Sequence, residues 1–135
     1  NTESCCYENN ECSTYCYRSH VVKSTLAVVE LLNIEEEKWE IAFQSRIGPG
    51  WLKPFTDKRL AQLPKEGANS ILIVCPSFIS DCLETLEEIN IRGRKTFMDA
   101  EGESMEYIPC LNDSEQLIGL LESLIQEKKV KFNLL

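Results

Sequence analysis

Residues 71–75 read Ile-Leu-Ile-Val-Cys, an unbroken apolar run closed by Pro76. A strand with one face in water alternates apolar and polar residues. An apolar run of strand length without alternation predicts a strand covered on both faces, the pattern of parallel sheets. Parallel strands cannot be joined by a hairpin and need a crossover, usually a helix. The flanks of this run read accordingly. Thr56 or Asp57 caps a predicted helix over 57–66 that stops at Gly67, and a long helix is predicted over 81–98.

The same alternation extends along the chain. Val22, Leu26, Val29 and Leu32 at helical spacing predict an amphipathic helix within 20–34, and Lys-Trp-Glu-Ile-Ala-Phe-Gln-Ser-Arg-Ile (38–47) reads as a strand broken by Gly-Pro-Gly. Residues 106–111 predict a third short strand with Pro109 at its end. Asp113 or Ser114 then caps a last helix through Lys128, with Leu117, Leu120, Leu121, Leu124 and Ile125 on one side. The order α-β-α-β-α-β-α specifies an α/β fold, a parallel sheet flanked by helices. Its first element is a helix without a strand before it, so the expectation is an incomplete domain lacking its first strand. The start at Asn1, with neither Met nor a signal-peptide pattern, reads as a cut end.

At 135 residues with 43% hydrophobic content the chain is one ordinary domain with a real core. A net charge of −8 argues against nucleic acid or an anionic membrane as main partner. No transmembrane segment is present, since no stretch approaches 18 apolar residues; peripheral membrane contact is left open. The seven cysteines are uneven: Cys5, Cys6, Cys12 and Cys16 crowd the first sixteen residues, and Cys75, Cys82 and Cys110 are scattered. A secreted disulfide framework would spread them, so a reducing, cytoplasmic compartment is expected. Residues 1–19 thus form a Cys-rich segment and 20–135 the α/β domain. Four thiolates in twelve residues suit an iron–sulfur cluster, or zinc held by three Cys and His20, against the plain alternative of a disulfide pair or free thiols. Cys75, Cys82 and Cys110 have no metal spacing and read as small hydrophobes.

In open α/β sheets, ligands collect where strand C-termini meet helix N-termini. Three segments converge on that edge: 44–54, 75–84 and 109–113. In the first, Gln44, Ser45, Arg46 and Trp51 suit a flat, anionic, aromatic ligand, unless Trp51 merely plugs the core and Arg46 pairs with an acid. In the second, Asp81 with Glu84 fits a capping box. Glu84 and Glu88 share a helix face, with Glu87 beside them. That is either a solvated acidic face or a line of carboxylates guiding a cation or protons.

Phe-Gln-Ser-Arg-Ile-Gly-Pro-Gly-Trp-Leu-Lys-Pro (43–54), Ser-Asp-Cys-Leu-Glu-Thr-Leu (80–86) and Tyr-Ile-Pro-Cys-Leu-Asn (107–112) together resemble the ferrochelatase family, in the right order and at the right separations. The resemblance covers roughly residues 14–128, the C-terminal half of such a protein. It implies a chelatase-like, Rossmann-type three-layer fold and the insertion of ferrous iron into a porphyrin, protoporphyrin IX or coproporphyrin, in haem biosynthesis. By motif, Glu84 matches the family's active-site glutamate and Glu88 continues the acidic line for iron one turn on. Gln44, Ser45 and Trp51 match the segment bordering the porphyrin cleft. The Cys-rich head is similar to that of bacterial members with a [2Fe–2S] segment, so Cys5, Cys6, Cys12 and Cys16 are its implied ligands.

Four departures accompany the resemblance. The family's Ser-Phe-His-Gly segment, with the catalytic histidine, does not occur here, and His20, the single histidine, follows Cys-Tyr-Arg instead. The Gly-Pro-Gly-Trp turn is one residue short, Glu101 stands where a Gly-Gly-Glu segment is usual, and Arg92 takes the next helical step of the acidic line. The expectation is a chain inactive alone, whose partner is the missing N-terminal half. The competing expectations are a non-enzymatic metal- or cluster-binding protein and a degenerate, inactive copy.

Overall fold

A computed structural model describes residues 14–45, 48 and 50–132, with side chains as far as 129. Cys5, Cys6, Cys12 and Arg46 lie outside the described residues. Contacts divide the chain into two compact units, Asn1–Arg59 and Leu60–Leu135.

In the first unit, helix α1 (Tyr17–Leu31) buries Val22 and Val29, two of its four expected apolar positions. It stops short of the predicted end because Asn33 turns left-handed at φ 52°, leaving Leu32 exposed. The strand predicted over 38–47 is not formed among the described residues. Residues 36–38 instead make a 3-10 turn, and beyond it a single parallel bridge joins Phe43 to Phe55. A strand is defined by a partner ladder, and here only Phe43 finds one. Its N–H donates to Pro54 O (2.8 Å) and its carbonyl accepts from Thr56 N–H (3.0 Å). Arg59 clamps Glu40 through a two-pronged contact, Nε to Oε1 at 3.0 Å and Nη2 to Oε2 at 2.9 Å.

Helix α2 (Thr56–Gln62) gives way to a 3-10 turn, Leu63–Glu66, because Pro64 has no N–H to continue an α ladder. Gly67, at φ 94°, supplies the left-handed residue that closes it, as the sequence predicted. Strands β1 (Ser70–Val74) and β2 (Ser104–Ile108) pair in parallel, from Ser70↔Ser104 to Val74↔Ile108. The sheet therefore has two strands among the described residues, not three, and β2 ends before Pro109 as expected. Ile71, Ile73, Met105 and Tyr107 face the core formed by Leu60, Ile89, Phe97 and Met105. The opposite face is not covered: Leu72, Val74 and Ile108 are exposed there. The expectation of a strand buried on both sides holds for one side. Helix α4 (Glu115–Phe132) starts on Ser114, whose Oγ accepts from Leu117 N–H at 3.3 Å. Of its expected apolar side only Leu117 is buried.

The long helix predicted over 81–98 is two helices of different pitch in series. Residues Glu84–Gly93 form a π-helix, bonded i→i+5, which passes directly into α3 (Arg94–Asp99). Its buried residues Thr85, Ile89 and Gly93, followed by Phe97 of α3, recur at a constant interval of four. Around an α-helix such a stripe drifts by roughly 40° per step, so Phe97 would stand roughly 120° from Thr85. The wider π turn rotates the stripe the other way, and the switch back to α returns Phe97 to the same side. Arg94 then ties the helix to the sheet, donating to the Met105 carbonyl and, at 2.8 Å, to Asn90 Oδ1.

Between α3 and β2, Glu101 adopts φ 72°. A non-glycine residue there costs roughly 1–2 kcal/mol. Glu101→Gly is expected to stabilise the chain by about 0.5–1 kcal/mol, after allowing for the extra freedom glycine gives the unfolded state. A thermal melt that fails to rise would refute it.

Candidate active site

The C-terminal ends of the two strands open into loops that are stitched together. Phe78 N–H returns to Cys75 O (3.0 Å), and Asn112 N–H donates to Ile79 O (2.9 Å). At their meeting point stands Asp81. Its Oδ1 accepts from Thr85 Oγ1 (2.9 Å), from the Tyr107 hydroxyl (2.5 Å) and, at 3.4 Å, from Cys110 N–H. Its Oδ2 accepts from Asn112 Nδ2 (2.8 Å), while Asp81 N–H donates to Asn112 Oδ1 (2.8 Å). The Asp81–Glu84 capping box expected from the sequence is not made, since the helix starts without a side-chain cap at Leu83. Asp81 is spent instead on Tyr107 and Asn112, and Thr85 closes the helix start by accepting from Cys82 N–H at 3.0 Å.

These donors, Asn112 first and Tyr107 next, hold the Asp81 carboxyl far below the usual carboxylate range. Burial, then hydrogen bonding to Asp81, pushes the Tyr107 phenol well above its ordinary value. Burial likewise raises Cys110 and lifts the Cys75 thiol to about 11, so Cys75 is an uncharged small hydrophobe at neutral pH, as its sequence context suggested. The sign of the Asp81 contribution follows. A carboxyl whose folded pKa lies below its unfolded value of about 3.9 stabilises the fold above that pH and loses this as the pH falls through the folded value. The stability difference between the native chain and Asp81→Asn is therefore expected to be constant near neutrality and to shrink below about pH 4. Urea melts at a series of pH values measure it.

Glu84 is the first residue of the π-helix and is exposed. A hydrogen bond from Cys82, then one from its own N–H, holds its carboxyl below the ordinary range, so it is ionised at neutral pH. Glu88 lies one turn on, but not in a purely acidic line. Arg92 Nη2 meets Glu88 Oε1 at 3.1 Å, and its Nε meets Glu87 at 2.9 Å. The two outer acids thus share one guanidinium, which the wide pitch brings within reach of positions four and five residues back.

Gln44, Ser45 and Trp51 belong to the first unit. Gln44 and Ser45 directly follow the Phe43 bridge, and Trp51, 42% exposed, follows Gly50. Trp51 is not buried. Cys16 precedes α1 as a free, partly buried thiol, and His20 Nε2 lies 3.0 Å from Thr14 O. Among the described residues no group of three or more His, Cys, Asp or Glu is arranged to hold a metal ion, and no helix is long and apolar enough to cross a membrane. Tyr107, Thr85 and Asn112 are the site residues that sequence reasoning did not single out. Their signal was present, in the Tyr-Ile-Pro-Cys-Leu-Asn and Glu-Thr-Leu segments, but their partner Asp81 had already been assigned to a cap.

The sequence is similar to those of known proteins. A ferrochelatase from Bdellovibrio bacteriovorus is 43% identical over 126 residues, 93% of this chain and 38% of its own. A ferrochelatase from Pseudomonas aeruginosa is 43% identical over 82% of this chain and 33% of its own length. A coproporphyrin III ferrochelatase from Streptococcus mutans is 45% identical over 83% of this chain and 35% of its own. The chain spans about a third of the length of the curated relatives it matches. The Ferrochelatase family model matches residues 4–129, nearly the whole sequence, and the chain belongs to the ferrochelatase family.

Proposed function

We propose that this chain carries the glutamate side of a porphyrin metallation site, in a protein that inserts ferrous iron into protoporphyrin IX or coproporphyrin during haem synthesis in the cytoplasm. The observation that carries the reading is Glu84: an ionised, exposed carboxylate on the first turn of the helix at the strand ends, hydrogen-bonded by Cys82. Metallation replaces two pyrrole N–H protons by Fe2+, with no change of oxidation state. It needs a base at the ring face and weak oxygen ligands that release the metal. Glu84 offers both. In water its lowered pKa makes it a ligand more than a base. A flat porphyrin lying over it excludes water and raises that pKa, so the same group accepts one of the two pyrrole protons as the metal leaves it, and the other goes to a base on the opposite face supplied by the rest of the protein. Glu88, moderated by Arg92, serves as the preceding step of the iron path. Gln44, Ser45 and Trp51, which match the family's cleft segment, border the porphyrin.

The Cys-rich segment, 1–19, is proposed as a separate cluster-binding part. Four thiolates are the donor set of a [2Fe–2S] cluster, and Cys5, Cys6, Cys12 and Cys16 would hold it there as an electron-accepting group distinct from the substrate iron. Zinc is the alternative, and an absorption spectrum of purified protein separates the coloured cluster from the colourless zinc form. Peripheral membrane contact is compatible with the substrate's apolar ring.

The activity test is a hybrid in which these 135 residues replace the matching third of the Bdellovibrio ferrochelatase. The hybrid is expected to metallate porphyrin, whereas the 135-residue chain alone, whose sole histidine is His20, is expected not to. An inactive but folded and porphyrin-binding hybrid would refute the assignment.

A further inference from the structure

We infer that Asp81 is a positioning residue for Glu84, acting through a relay of hydrogen bonds that fixes the start of the π-helix to the end of β2. The inference rests on Glu84 having the role proposed above, but its structural content can be tested without that chemistry. Asp81 gathers donors from three places: Thr85 on the helix, Tyr107 on the strand, and Cys110 and Asn112 on the loop beyond it. Asn112 returns the contact by accepting Asp81 N–H, so the pair is locked in both directions. Thr85 is fully buried and carries the constraint onward. Its hydroxyl donates to Asp81 and accepts from Cys82 N–H. Cys82 in turn touches the Glu84 carboxylate.

An exposed glutamate at a helix start would ordinarily sample several rotamers. Here the Cys82 backbone is pinned by Thr85 and Glu84 stands between those two residues, so its carboxylate is held in one direction before any ligand arrives. That is the kind of support an active-site group needs to be in place without reorganising. The arrangement also explains why an acid stands at Asp81 although no helix cap is made. Four donors converge on it, and an anion accepts them all.

The test uses the 135-residue chain with carbon-13 and nitrogen-15 labels. Three-bond couplings across the Glu84 Cα–Cβ bond report its rotamer, and absorbance at 295 nm reports ionisation of Tyr107, with Tyr107→Phe identifying its signal. In the native chain Glu84 is expected in one rotamer, with Tyr107 ionising above its ordinary value. In Asp81→Asn the Glu84 couplings are expected to collapse to averaged values, and Tyr107 to move down toward about 10. Should Asp81→Asn fail to fold, Thr85→Val carries the test. It cuts the relay to Cys82 but leaves Tyr107 on Asp81, so Glu84 averages while Tyr107 stays high. A folded variant of either kind in which Glu84 keeps one rotamer overturns the proposal, as does averaging already present in the native chain. An inactive hybrid would refute the metallation reading and leave these couplings unaffected.

Discussion

Gly102→Ala is expected to destabilise the second unit by about 1–3 kcal/mol or more, the largest loss of stability from any single added carbon in it. A Cβ at Gly102 would stand 2.2 Å from Cε1 and 2.4 Å from Cδ1 of Phe97. No real contact is that short, so the ring or the turn must move. The ring has nowhere to go. Phe97 is completely buried, in the cluster with Leu60, Ile89 and Met105. The turn is held as well, since Gly102 N–H donates to the Phe97 carbonyl at 3.0 Å and Glu103 N–H to Asn69 O at 2.7 Å. The three nearest atoms all belong to the Phe97 ring, and this gives the prediction a control. Phe97→Leu with Gly102→Ala should recover part of the loss, although Phe97→Leu alone is destabilising. Chemical denaturation of the four proteins forms a double-mutant cycle. A coupling near zero would show that the ring and the glycine do not compete for the same space.

Glu84→Gln in the hybrid enzyme is expected to lower kcat for iron insertion by about 10²–10⁴-fold, the range for loss of a positioned acid–base group. The amide keeps the size of the side chain and can still accept a hydrogen bond from Cys82, but it cannot take a proton or offer an anionic oxygen to iron. Glu84 is exposed, so stability should stay within about 0.5 kcal/mol. The KM for porphyrin should change little, because the ring is bordered by other residues. Glu88→Gln provides the comparison: Arg92 already shares its charge with Glu87, and the expected loss is smaller. Equal activity of Glu84→Gln and the parent hybrid, at saturating iron, would remove Glu84 from the chemistry.

Much of this arrangement could be read from residue order. The apolar run at 71–75, the glycine stop at 67 and the serine cap at 114 each express a local rule, and the structure forms a strand, a stop and a cap there, although it covers only one face of the strand. The misses share a cause, competition from partners distant in sequence. Segment 38–47 has the composition of a strand, but composition cannot provide a neighbour, and only Phe43 obtains one. Asp81 has the spacing of a cap, yet Tyr107 and Asn112, far along the chain, outbid the helix for its oxygens. Nothing in the residue types of 84–93 marks a π-helix, because an amphipathic pattern over ten residues fits either pitch. The sign was the constant interval from Thr85 to Phe97, which becomes meaningful once burial is known. The placement of Glu84, at a helix start beyond a strand end, was legible because the signals around it are local.

That constant interval separates folding from chemistry in a way that insertions and deletions would expose. Phe97 and Ile89 anchor the helix to the core, while Glu84 sits at the far end of the π segment. Losing one residue from 84–93 would leave Phe97 seated but turn Glu84 by roughly a quarter of a turn about the helix axis. Such a chain would still be folded and would present its carboxylate to the wrong side. Length in this stretch is therefore under a stricter constraint than the identity of its exposed residues: those side chains can change, but the number of residues sets where the Glu84 carboxylate points.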